Sequence, residues 1–132
     1  MRLVLAVMAL SVLGYCKDET VTGYGGAEAV WHLESLDGVA FPARATLVFP
    51  AAGELRGEAP CNSYSGQQTV PYPWFAAEDV VTTKRACPEL AEEALYLTAL
   101  AEMTLVEVLG NVMILSNDAG REMVFRAKSG VR

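Results

Sequence analysis

A single helical pattern lies within a chain of short, strand-like segments, and this arrangement limits the fold more than any other feature. "CPELAEEALYLTALAEM", residues 87–103, has a proline near its start, where the first helical turn tolerates one. Its spacing predicts an α-helix over about residues 88–103. The apolar face is predicted to be formed by Leu90, Ala94, Leu97, Leu100 and Ala101. The acidic residues of the first turns are interpreted as a solvated helix start that favours the helix dipole: Glu89, Glu92 and Glu93.

Runs of alternating polarity, separated by turns rich in Gly, Pro and Asn, precede and follow this helix. The predicted strands cover residues 29–36, 44–49 and 53–59, two short segments joined near 71–73, the hairpin 105–116 and residues 121–127. Trp31 and Leu33 share one face of the first strand, and Met123 and Phe125 point inward from the last. The order predicts an α+β fold with a mostly antiparallel sheet. Such a sheet is expected to curl or to close into a barrel, which removes its edges.

The N-terminus has the pattern of an export signal. A basic residue, Arg2, precedes a largely apolar run of 12 residues, 3–14, which is too short to span a bilayer and typical of a signal peptide. The predicted organisation is therefore a signal peptide over 1–15, a flexible tether over 16–28, a folded domain over 29–127 and a C-terminal tail over 128–132. The protein is expected to be exported, to the periplasm or to an outer membrane.

The chain has 132 residues and a formal net charge of −6 at pH 7. This length is typical of one domain with a modest core. The acidic balance argues against nucleic acid as a partner, because nucleic-acid-binding proteins present a basic surface. It also argues against electrostatic docking on anionic lipids, so a membrane location would require a lipid anchor.

Three cysteines must be accounted for in an oxidising compartment, where disulfides persist. Cys61 follows a predicted strand and Cys87 precedes the helix, so a disulfide between them would close the least regular part of the chain. Closing a loop of this size stabilises a protein by roughly 3–4 kcal/mol. Cys16, in "LGYC", resembles the lipidated cysteine of a bacterial lipobox, although Tyr15 stands where a small residue is usual. Ordinary cleavage after Gly14 is the alternative.

Catalytic, metal and cofactor sites are not expected. A cysteine nucleophile needs a neighbouring base, and the only histidine, His32, is interpreted as a surface residue on the outer face of a strand. The cysteines lack the spacing of a zinc site. "PYPWF", residues 71–75, is the one aromatic cluster. Its Trp74 and Phe75 are predicted to plug the end of the sheet, and a ligand lip or partner surface is the alternative.

The order and spacing of many residues resemble the META domain, the HslJ-like family of small exported bacterial proteins. The matching residues before the helix are Trp31, Leu33, Thr46, Leu47, Phe49, Gly57, Cys61, Asn62, Tyr64, Gly66, Thr83, Ala86 and Cys87. Those on the helix are Glu93, Tyr96, Leu97, Ala99 and Leu100. Pro60 departs from the family's usual glycine, and "VPYP", residues 70–73, replaces a polar turn.

This resemblance implies a small, mostly β domain of lipocalin-like topology with a helix closing one end. It also implies an envelope location, often as a lipoprotein, and an association with heat or antibiotic stress. It implies no reaction, because the family has no agreed catalytic residues. We therefore expect a non-enzymatic envelope protein, held on the membrane through Cys16, that works by interaction with another envelope protein. The alternative is a carrier of a small apolar ligand inside a barrel, which would need a cavity above about 300 Å³.

Overall fold

The computed structural model describes residues 18–27 and 29–128. The predicted signal peptide, Cys16 and residues 129–132 of the predicted tail lie outside these residues. The elements are a 3-10 helix (Val21–Tyr24), β1 (Val30–Leu36), β2 (Val39–Ala40), β3 (Thr46–Leu47), β4 (Gly53–Glu58), β5 (Ser63–Gln68), β6 (Glu78–Thr82), α1 (Leu90–Glu102), β7 (Leu105–Leu109), β8 (Val112–Ser116) and β9 (Glu122–Lys128). No helix in this part of the chain is long and apolar enough to cross a membrane.

The strands form two antiparallel sheets, which confirms the predicted α+β class. One sheet has the order β2-β1-β9-β8-β7, with β3 also paired to β1, and the other has the order β4-β5-β6. A pair between Val48 and Arg56 links the two sheets. The sheets curl but do not close, so the barrel alternative is wrong and the curled-sheet alternative holds.

Both sheets and α1 contribute side chains to one buried cluster. The predicted inward positions are confirmed: Trp31 is 1% exposed, and Met123 and Phe125 are fully buried. The Trp31 indole Nε1 donates a hydrogen bond to the Gly26 carbonyl at 3.1 Å. Burying an aromatic side chain of this kind stabilises the fold by roughly 1.5–3 kcal/mol.

The helix lies over the core with a different face from the one predicted. Its buried residues are Glu93, Tyr96, Ala99 and Leu100. Of the five predicted positions only Leu100 is buried, and Leu97 is half-buried; Leu90, Ala94 and Ala101 are exposed. The helix is turned in this way because two polar side chains, Glu93 and Tyr96, have hydrogen-bond partners inside the domain. The spacing of apolar residues along the helix gives no information about such hydrogen-bond partners.

Residues 18–27 differ from the flexible tether that the sequence predicts. Val21, in the 3-10 helix, is 0% exposed and belongs to the core cluster. The Tyr72 amide donates to the Glu19 carbonyl at 2.6 Å. The domain therefore begins before residue 29, because this Gly-rich segment carries one apolar side chain into the interior and offers a carbonyl to Trp31.

The connection between β5 and β6 runs along the outer edge of β7. The Val106 amide donates to the Pro73 carbonyl at 2.8 Å, and the Phe75 amide donates to the Thr104 carbonyl at 2.9 Å. These bonds cover an otherwise open sheet edge. Phe75 plugs the core as predicted, but Trp74 is 56% exposed. The prediction for Trp74 is wrong because neighbouring side chains of an extended segment point to opposite faces.

Candidate functional site

A buried carboxylate joins α1 to the turn before β5. Glu93 Oε1 accepts hydrogen bonds from the backbone amides of Cys61, at 3.0 Å, and Asn62, at 2.7 Å. Its Oε2 accepts a third from the Asn62 side chain at 2.7 Å. Glu93 is 6% exposed, so its interpretation as part of a solvated helix start is wrong. The carboxylate is fully used in holding the turn, since each of its oxygens has a donor.

The side chain of Asn62 extends the same network to the strand-to-helix connection. Its Nδ2 donates to the Arg85 carbonyl at 3.0 Å, and its Oδ1 accepts from the Thr83 hydroxyl at 2.9 Å. Asn62, Thr83 and Glu93, three residues of the family motif, therefore form one network. It fixes the segment that leads into Cys87.

The predicted disulfide between Cys61 and Cys87 is present, with 5.6 Å between the Cα atoms. Its sulfurs, with Glu89, form a group close enough for metal ligation in the described part of the chain. Oxidised sulfurs are not thiolates, so the group offers one carboxylate and no zinc site. For the same reason Cys61 has no thiol that His32 could activate as a base. The pKa of His32 is lowered by partial burial and by nearby Lys128 and Arg44.

A second buried network joins the helix to both sheets. The Tyr64 and Tyr96 hydroxyls are 2.6 Å apart, and the Tyr64 hydroxyl donates to the Thr46 carbonyl at 2.6 Å. Burial raises the pKa of each phenol, and the neighbouring Tyr96 adds to the rise at Tyr64. Gly57 passes so close that a Cβ there would lie 2.0 Å from the Thr46 carbonyl oxygen. These motif residues stabilise the fold and do not face solvent.

The remaining motif residues are structural as well. A Cβ at Gly66 would lie 2.7 Å from the Glu78 carbonyl oxygen, which explains a glycine where β5 meets a bulge in β6. Trp31, Leu33 and Leu100 belong to the core. The structure thus brings the predicted residues together as a framework, and a surface that could bind a partner must be sought elsewhere.

That surface is a groove on the outer face of the three-stranded sheet, here called the Arg56 groove. Three clefts of about 380, 370 and 460 Å³ open there, and Arg56 lines all of them. Ser65 and Val81 each line two of the clefts, Glu54 lines one and Arg44 another. Sequence reasoning found strand 53–59 but gave it no function. The available signal was the alternation of Glu54, Arg56 and Glu58, which places three charges on one face.

The comparison with family models matches the META domain over residues 26–130. The chain belongs to the META domain family. The match begins inside the packed N-terminal segment, at Gly26, whose carbonyl accepts the hydrogen bond from Trp31. The comparison with curated proteins found no match.

Solved structures share the fold of this META domain. A protein from Burkholderia xenovorans, solved by NMR, has a TM-score of 0.66 and 23% identity, covering 83% of this chain and 88% of its own. A crystal structure of a DUF4847 family protein from Bacteroides vulgatus has a TM-score of 0.62 and 13% identity, covering 83% and 99%. At these identities the likeness concerns the fold alone.

Proposed function

We propose that this META domain protein is a non-enzymatic, lipid-anchored protein of the cell envelope that binds an extended segment of another envelope protein. The observation that carries the proposal is an open groove beside an unpaired strand edge. In the described sheet β4-β5-β6, β6 is the last strand. Val81, on β6, is 65% exposed and lines the Arg56 groove.

A sheet edge of this kind is suited to binding by strand addition. The backbone of an extended peptide can pair with the edge strand, while side-chain pockets beside it give specificity. Arg56 lies on β4, but it lines the same clefts as Ser65 and Val81, so a partner side chain that crosses the sheet face could place a carboxylate against its planar guanidinium. The clefts that reach from Val81 across the sheet face to Arg56 could receive side chains of such a segment.

The interior supports binding at the surface rather than a carrier role. Large side chains from both sheets and the helix fill it, including Trp31, Leu47, Tyr96 and Phe125, each at most 1% exposed. The described clefts lie open on the surface. A small apolar ligand would need to displace this packing, so the carrier alternative has no observation in its favour.

The envelope location and the stress association rest on the N-terminal pattern and on the family resemblance. Lipidation of Cys16 is tested by replacing it. The Cys16→Ser protein should move from the membrane fraction to the soluble fraction, because its acidic surface gives it no electrostatic hold on anionic lipid. Mass analysis of the mature protein should show acyl chains on Cys16. A mature N-terminus at Tyr15, or an unmodified Cys16, would contradict the anchor.

The groove is tested by placing a photo-reactive amino acid at Val81 in living cells. We expect a discrete crosslinked adduct, formed more strongly after heat stress, that weakens when Arg56→Ala is added. The control position is Val39, which is 69% exposed on β2 in the other sheet. Equal adducts from both positions, or none from Val81, would refute the groove as the binding surface.

A further inference from the structure

An exposed surface with several apolar side chains lies beside the edge strand β7. Trp74 pairs with Leu105 across an isolated antiparallel bridge, so the two side chains lie on the same, outer face. A cleft of about 380 Å³ adjoins this pair, lined by Pro73, Leu105 and Ile114 among others. Here the surface formed by Pro73, Trp74, Leu105 and Ile114 is called the Trp74 lip. It projects an indole that is 56% exposed, in contrast to the buried Trp31.

The start of the described chain is fixed against this same segment. The Glu19 carbonyl accepts a hydrogen bond from the Tyr72 amide at 2.6 Å. The Tyr24 ring stacks on the Tyr72 ring with centroids 4.7 Å apart. Cys16 precedes Glu19 by three residues, so their Cα atoms lie at most ~11 Å apart. A lipid attached to Cys16 would therefore enter the bilayer close to Tyr72, next to the Trp74 lip.

We infer that the Trp74 lip rests in the lipid–water interface of the membrane that holds the Cys16 anchor. The inference builds on the proposed lipid anchor. An exposed indole with apolar neighbours is typical of the interfacial zone, because its ring is apolar and its N–H group remains hydrated. The lip would also strengthen the anchoring, since a second contact with the membrane adds to the hold of the acyl chains.

Charge determines which lipid surface the lip fits. Glu107 lines the cleft, Glu19 lies at the chain entry, and the whole chain carries a net charge of −6. These carboxylates would be repelled by anionic headgroups, so the lip fits zwitterionic phospholipid. The same charges limit insertion to the headgroup level. The domain would then be held in one orientation instead of turning freely on its anchor.

Quenching of tryptophan emission tests this orientation without relying on bacterial lipidation. In the oxidised mature chain Cys61 and Cys87 are paired, which leaves the Cys16 thiol for coupling to a maleimide-bearing phospholipid. The coupled protein is placed in phosphatidylcholine vesicles with or without brominated acyl chains. Because Trp31 is 1% exposed, quenching reports on Trp74. We expect a blue shift and a loss of the Trp74 emission in brominated vesicles.

The matched control moves the exposed indole to the far edge of the sheet. In Trp74→Phe/Val39→Trp the indole lies on β2, four strands from β7, a separation of ~19 Å. Its emission should be unaffected by bromine. Unquenched Trp74, or equal quenching at both positions, would overturn the inference. A lack of acyl chains on native Cys16 would instead overturn the proposed anchor, so the two failures are distinguishable.

Discussion

At the scale of the residue, Gly57 shows how a glycine can be required without an unusual backbone angle. A Cβ there would lie 2.0 Å from the Thr46 carbonyl oxygen and 2.6 Å from the Tyr64 hydroxyl. Gly57→Ala should destabilise the domain by roughly 3 kcal/mol, the upper range for overpacking. At Gly120, with φ +81° and open space around its Cβ position, alanine should cost only ~1 kcal/mol. Urea unfolding of the two variants measures the difference, and equal losses would contradict the packing argument.

The hydroxyl pair of Tyr64 and Tyr96 predicts a pH dependence. Burial raises the pKa of both phenols, so the folded state retains protons that the unfolded chain loses above about pH 10. Their contribution to stability is complete below pH 10 and falls as the pH rises, by up to about 1.4 kcal/mol per pH unit for each tyrosine.

Tyr64→Phe removes one of these two groups. At neutral pH the variant should be less stable than the parent by ~1–2 kcal/mol, because the Thr46 carbonyl loses its close donor. Between pH 10 and 11 this difference in stability should narrow, since only the parent has the contribution of Tyr64 to lose. Urea midpoints measured across this range test the sign. A gap that stayed constant would mean that Tyr64 ionises as readily in the folded state as in the unfolded one.

At the scale of the element, the N-terminal 3-10 helix belongs to the folded domain. Val21 is fully buried, so Val21→Ala should cost ~2 kcal/mol for the two groups removed from the core. Val39→Ala, at a position 69% exposed, should change stability by less than about 0.5 kcal/mol. Thermal unfolding of both variants provides the measurement. If both variants lost equally little stability, residues 18–27 would be a tether, as the sequence predicts, and not part of the folded domain.

At the scale of the whole molecule, the disulfide ties the small sheet to the start of α1 across 26 positions of sequence. Cys61→Ser should lower the free energy of unfolding by about 3 kcal/mol, chiefly because the unfolded chain gains freedom. Reductant should destabilise the parent protein by a similar amount and leave Cys61→Ser unchanged. If the variant were as stable as the oxidised parent, the Glu93 hydrogen bonds alone would be sufficient to hold this turn.

The sequence by itself determined the α+β class, the single helix, the inward positions of Trp31 and Phe125 and the pairing of Cys61 with Cys87. The alternation of apolar residues and the turn residues are local in the sequence, and the cysteine count is a property of the whole chain. None of these signals depends on which distant residues come into contact. Which face of α1 is buried, whether the sheets close and where Trp74 points were decided only by the tertiary structure. These depend on partners distant in sequence: a carboxylate on the helix finds Asn62 some thirty residues away, and an edge strand is covered by a segment that precedes the helix. The Arg56 groove was found only in the structure for the same reason: the charged face of strand 53–59 is visible in the sequence, but the clefts form only where Ser65 and Val81 of the two other strands lie beside it.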